Sequence, residues 1–132
     1  MKGVELTDAQ AASPGGTGGR ESPVTGVDRR DVSVVLSLVG ELDLYNAEQV
    51  RAALLESLAE EPTLLVVDLE QVSFIDSTAL GVLIEARSRM ADRSGFRLAE
   101  PGLETRRALE VSGLDRHFSV HETVAGALAS ER

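Results

Sequence analysis

Between Val72 and Ala86 the chain reads VSFIDSTALGVLIEA, where three adjacent polar residues, Asp76, Ser77 and Thr78, interrupt an apolar run. A carboxylate beside two hydroxyls can do two kinds of work at the start of a helix. It can cap, because Asp, Ser and Thr side chains accept hydrogen bonds from the first backbone N–H groups. It can also present a hydroxyl where those N–H groups and the helix dipole favour added negative charge. Spacing alone leaves both readings open. Hydrolysis is a third possibility, with Ser77 as nucleophile and His117 or His121 as base. It fails because FIDSTAL lacks the glycine-flanked G-x-S-x-G elbow, and both histidines fall in a late polar segment.

Other chemistries find no residues to carry them. Asp68 ends the apolar run TLLVVDL in the manner of a receiver-domain phosphoacceptor, but the late lysine of such a site is missing, since the only lysine is Lys2. Asp68 is therefore expected to cap the turn after a strand. Asp43, Asp68 and Asp76 lie in three separate segments without the spacing of a hard-cation loop. The absence of cysteine excludes thiolate metal sites, thiol chemistry and disulfides. PGGTGG lacks the lysine of a phosphate-binding loop. Arg87, Arg89, Arg93 and Arg97, with Glu85 and Asp92 among them, read as a solvated charged face. No enzyme, cofactor or metal is expected.

The bounds agree with a small binding domain. The chain has 132 residues, 42% hydrophobic and 27% charged, with only 3% aromatic, so its core must be Leu, Val, Ile and Ala. A formal charge of −9 argues against direct contact with nucleic acid. No apolar run reaches the roughly 18 residues of a membrane span, and MKGVELTDAQ has no apolar leader core. A cytoplasmic monomer without membrane contact is expected. Residues 1–22, rich in Gly, Ser, Thr and Pro, are expected to form a disordered tail, and residues 23–132 the domain. Residues 31–132 hold nine basic and eighteen acidic side chains, so that part carries the whole net charge.

Strand and helix patterns alternate along the domain. DVSVVLSLVG (31–40) is a β-branched strand, with a weaker one near residues 23–28 pairing with it as a hairpin. Asn46 followed by Gln49 resembles a capping box, and Val50, Leu54 and Leu58 give the next helix one apolar stripe before Pro62 stops it. TLLVVDL suits a strand covered on both faces. Glu70 to Ser73 reads as a link, and STALGVLIEARSRMADRSG as a helix capped by Gly95. FRLAE, LETRRALEVSG ending at Gly113, HFSV and ETVAGALAS complete the set as strand, helix, edge strand and short helix. The pattern predicts an α/β domain with a small, mixed, mostly parallel sheet and helices packed against it. Sites in such sheets lie where strands feed helix N-termini, which is where Asp76, Ser77 and Thr78 fall.

GELDLYNAEQVRAAL, LLVVDLEQVSFIDSTALGVLIEA and LEVSGLDRHF together resemble the STAS domain of bacterial anti-sigma-factor antagonists, over about residues 24–130. The markers are Gly40 to Asp43, Asp76 to Thr78, and Ser112 to Leu114, specific in this order and spacing. The resemblance implies a single STAS domain that binds an anti-sigma factor with Ser kinase activity and so frees a sigma factor. It further implies that Ser77 is phosphorylated by that kinase, that phosphorylation releases the complex, and that a metal-dependent Ser phosphatase resets it. The implied docking surface is Asp43, Asp76, Ser77, Thr78 and Leu80. Ala79 stands where the family often has Gly; it is still small, so close approach of the kinase is retained. The alternative is a non-switching STAS scaffold within a sensory or transport complex.

Overall fold

A computed structural model describes residues 22–130. Apart from Ser22, the segment expected to be a tail lies outside the described residues. In chain order the elements are β1 (Val24–Arg30), β2 (Ser33–Leu42), α1 (Ala47–Leu58), β3 (Leu64–Ile75), α2 (Ser77–Ser88), β4 (Phe96–Ala99), α3 (Leu103–Ser112), β5 (Ser119–His121) and α4 (Val124–Ala129). The five strands form one sheet in the order β1-β2-β3-β4-β5. Only the β1–β2 hairpin is antiparallel; the other neighbours are parallel. This is the expected mixed, mostly parallel α/β sheet.

Alternation along the strands splits the core. Leu36, Leu38, Leu65, Val67, Leu69, Phe96 and Leu98 point to one face, with Val50 and Leu54 of α1, Leu83 of α2 and Leu109 of α3. Val35, Val66 and Ala99 point to the other, where Ala127 of α4 covers them with Val124 and Leu128 beside it. The central strand is thus covered on both sides, which is why TLLVVDL has no polar alternation. Each Leu or Val taken fully from water contributes about 1.5–3 kcal/mol. A sheet built this way is a rigid base for the loops at its carboxyl edge.

Four expectations are corrected. Glu70 to Ser73 is part of β3, not a link. The register against β2 shifts between Ser37 and Val39 and again between Gly40 and Glu41, each time with one extra residue on β3. Such bulges break the alternation that marks a strand, and they re-aim side chains. As a result Val72 and Ile75 are buried while Ser73 and Phe74 face out. Asp68, expected at a strand end, lies inside β3 at the first of these irregularities, where its carboxylate accepts from the Glu70 N–H at 3.1 Å. Arg97 does not belong to a solvated face: it is 3% exposed on β4. Its guanidinium donates to the carbonyls of Ser94, Ala127 and Ser130, which satisfies a buried charge at the C-terminal end of α4.

The fourth correction concerns Gly95. Helix α2 stops at Ser88, and Gly95 closes a short 3-10 turn into β4 instead of capping α2. A Cβ at this position would be driven into the Thr63 carbonyl oxygen and crowd the Met90 side chain. Glycine is needed here for close backbone approach. Gly113, by contrast, caps α3 in the left-handed conformation (φ 78°), as the sequence pattern predicts. Gly95→Ala is expected to lower stability by about 1–3 kcal/mol, the usual cost of overpacking; an unchanged urea midpoint would contradict the backbone clash.

Candidate functional site

The site forms where β2 and β3 end side by side. Leu42 pairs with Ile75 as the last register position, and the Asp76 N–H donates to the Leu42 carbonyl at 3.0 Å. Asp76 then occupies the N-cap of α2 in an extended conformation. Its two carboxylate oxygens go to different elements. Oδ1 accepts from the Ala79 N–H at 2.9 Å, and Oδ2 accepts from the Leu44 N–H at 3.1 Å, across 32 residues of sequence. One side chain therefore fixes both the start of α2 and the loop that follows β2.

That loop is held from within by Asn46. The expected capping box does not form, and Asn46 makes no side-chain cap to α1. Instead its side chain is buried at 6% exposure; Oδ1 accepts from the Asp43 N–H at 2.9 Å and Nδ2 donates to the Glu41 carbonyl at 2.8 Å. Asp43 is half-buried, and its carboxylate accepts from the Tyr45 N–H at 3.0 Å. The structure thus joins the loop carrying Asp43 to Asp76 through the Leu44 backbone. An amide with a donor and an acceptor suits this role, and nothing in the local sequence separates it from a helix cap.

Ser77 and Thr78, the first two residues of α2, are exposed. Leu80 is not: at 7% exposure it belongs to the core, one residue past the buried Ala79, so it is removed from the expected docking surface. The apolar residues offered to solvent at this end are ones that sequence reasoning missed. Leu44 is 65% exposed, Tyr45 83% and Phe74 47%. The available signal was the apolar pair directly after Asp43 and the bulges that turn Phe74 outward. Further along α2, Arg51 of α1 donates to both oxygens of Glu85 at 2.9 and 2.8 Å, and Arg89 shares that carboxylate. The Arg51 hydrogen bond holds the Glu85 carboxyl below the usual carboxylate range.

The two histidines take no part in this site. His117 is exposed after α3, and His121 on β5 pairs with Ser119 Oγ at 2.8 Å, two strands from the β3 end that carries Ser77. Burial, with Arg97 nearby, lowers the His121 pKa. The carboxylates of Asp68, Glu70 and Glu100 can lie within 4.8 Å of one another, and Glu100 accepts from the Val124 N–H at the start of α4. No helix among the described residues is long and apolar enough to cross a membrane.

Comparison with known proteins bears on this geometry. The model of the STAS domain matches residues 24–127. The chain is 36% identical over 109 residues to the anti-sigma-F factor antagonist RsfB of Mycobacterium tuberculosis, covering 83% of this chain and 88% of the relative. The chain belongs to the STAS-domain family of anti-sigma-factor antagonists. A crystal structure of an anti-sigma factor antagonist from Mycobacterium paratuberculosis superposes with a TM-score of 0.75 at 31% identity, covering 83% and 94% of the two chains. The anti-sigma factor antagonist SpoIIAA, 25% identical, is similar in its unphosphorylated form (TM-score 0.67; 78% and 90% covered) and, from Bacillus, in its phosphorylated form (0.60; 78% and 95%).

Within this STAS domain, Asp76→Asn is not the neutral capping change that Asn at an N-cap usually is. The amide can serve one N–H with its oxygen but turns its own NH2 toward the other. Losing one such bond while leaving a donor opposed costs about 1–3 kcal/mol. Faster hydrogen exchange at Leu44 or Ala79, with a lowered unfolding midpoint, is expected; protection at both amides equal to wild type would contradict the two-way clasp.

Proposed function

We propose that this chain is a phosphorylation-controlled antagonist: unmodified, it binds an anti-sigma factor that is also a Ser kinase, and the sigma factor is freed. Phosphorylation of Ser77 ends that binding, and a metal-dependent Ser phosphatase restores it. The chain acts by binding; the kinase supplies ATP and the transfer chemistry. The observation that carries this reading is the exposed Ser77 hydroxyl at the first position of α2, directly after a carboxylate anchored by two backbone N–H groups. Each Asp76 oxygen keeps a second lone pair, so the carboxylate can orient the Ser77 O–H without giving up its structural bonds. In the transfer, Ser77 Oγ forms the new bond to the γ-phosphorus of ATP, the bond to the ADP oxygen breaks and leaves ADP, and the hydroxyl proton passes to a base on the kinase.

The product explains release. Phosphate adds about −1.5 to −2 charges at a helix start that tolerates them, so the domain keeps its fold. The same charge sits beside Asp76, near the loop of Asp43, on a surface where Leu44, Tyr45 and Phe74 must lose water when a partner docks. A loss of about 3 kcal/mol weakens binding roughly a hundredfold. The switch is then an interface event and not a refolding event.

Ser77 is the single acceptor in this reading. Thr78 is also exposed, but successive helical residues point about 100° apart, and its β-branched side chain is stiff and crowds in-line attack. The kinase is captured from source cells on immobilised protein with ADP present, then used with ATP on wild type, Ser77→Ala and Thr78→Val. Phosphate incorporation is expected in wild type and Thr78→Val, and none in Ser77→Ala, which stays bound. Full incorporation into Ser77→Ala, or none into a folded, kinase-binding Thr78→Val, contradicts the assignment.

A further inference from the structure

On the sheet face that α4 covers, Arg97 is a buried cation with no carboxylate to balance it. At 3% exposure it forms no ion pair with a carboxylate among the described residues. Nε donates to the Ser94 carbonyl, and Nη1 donates to those of Ala127 and Ser130. These dipoles occupy three of the five guanidinium N–H donors and bring no negative charge. Nη2 has no hydrogen-bond partner among the described residues. It is also not one of the side-chain atoms buried without a partner, which are Arg87 Nε and Thr105 Oγ1. Nη2 is therefore open to solvent. Arg97 lines a cavity of about 580 Å³ together with Ser33, Leu64, Val32 and Leu128, a size that holds one small ligand. Ser33 opens β2 and pairs with Leu64 at the start of β3. It lies two residues before Val35, on the same face of the sheet. Its hydroxyl likewise has no hydrogen-bond partner among the described residues.

We propose that this cavity binds a small organic carboxylate with a short apolar body, held by Arg97 Nη2 and the Ser33 hydroxyl. A buried guanidinium without a counter-charge is costly, and a carboxylate supplies both the charge and acceptors for charge-assisted hydrogen bonds. The charge count selects the ligand. One cation matches one monoanion, whereas a phosphate dianion would leave a charge and several acceptors unpaired beside apolar walls. Leu64, Leu128 and Val32 suit a short hydrocarbon body. From residue 31 onward the chain has eighteen acidic and nine basic side chains, so the overall field does not gather anions and a bound one needs a local site. Ser33 and Leu64 begin the strands whose far ends are Leu42 and Ile75. The cavity thus lies at the opposite edge of the sheet from Ser77, and the proposal does not rest on the functional reading above.

The test titrates the 15N-labelled full chain with hexanoate, hexanol and inorganic phosphate at constant ionic strength, following amide and Arg97 Nε–H NMR signals. Hexanoate is expected to shift Ser33, Leu64, Leu128 and the Arg97 Nε–H with a Kd of about 1 mM, the scale of one charged anchor in an open pocket. Hexanol, which has the same hydrocarbon body without the charge, and phosphate, which has charge without the body, are expected to bind about tenfold more weakly or less. Ser33→Ala is expected to weaken hexanoate about tenfold, the scale of one hydrogen bond to a charged group, and Arg97→Gln to abolish binding. Arg97→Gln also removes ties to α4, so if it does not fold, Ser33→Ala carries the test. Absence of hexanoate shifts at these residues at about ten times the expected Kd overturns the proposal. Equal binding of hexanol shows a merely apolar groove and overturns it. Equal binding of phosphate shows an unselective anion site and overturns it as well. Unchanged hexanoate affinity in Ser33→Ala does the same.

Discussion

The Asp76 carboxylate, shared between the Leu44 and Ala79 N–H groups, is the constraint on which the site depends. It is a side-chain contact that ties the loop after β2 to the start of α2. Without it the exposed Leu44 and Tyr45 would lose their tie to α2, and α2 would lose its cap. The sheet beneath makes the contact possible, because β2 and β3 end in register at Leu42 and Ile75. A hydrophobic core packed on both faces therefore delivers two segments, 32 residues apart, to within one carboxylate of each other.

This arrangement separates presentation from chemistry. Asp76 is occupied by the backbone, so the residue beside the hydroxyl is rigid before any partner arrives, and rigidity of that kind lowers the ordering cost of docking. Ser77 remains outside the hydrogen-bond frame that holds the loop and the helix. In the proposed switch, a charge added there would change what the surface can bind without removing a bond that the fold needs. The acidic character of the domain, eighteen acidic against nine basic side chains from residue 31 onward, would add to the effect of the proposed phosphate.

Much of the scaffold is written in local patterns. The continuous apolar run of β3 announces a doubly covered strand, the β-branched run before Gly40 announces β2, and Gly113 sits at the left-handed C-terminal position of α3 that its type suggests. The position of Asp76, Ser77 and Thr78 at a strand-to-helix junction follows from the same reasoning. What local pattern cannot carry is long-range geometry. Asn46 looks like a cap because caps are made of short polar residues, yet its partners are Asp43 in the loop and Glu41 near the end of β2. Leu80 falls two residues after an exposed hydroxyl but on the inward side of α2. The outward turn of Phe74 comes from bulges defined by pairing with β2, and the need for glycine at 95 comes from Thr63, on the approach to another strand.

The central claim is that phosphate at Ser77 alters binding and leaves the clasp intact. The direct measurement is amide hydrogen exchange at Leu44 and Ala79, with kinase affinity by calorimetry, on stoichiometrically Ser77-phosphorylated and unmodified protein. The account predicts unchanged protection at both amides and an affinity lower by roughly a hundredfold. Lost protection at Leu44 and Ala79, or kinase affinity equal in the two forms, would contradict it.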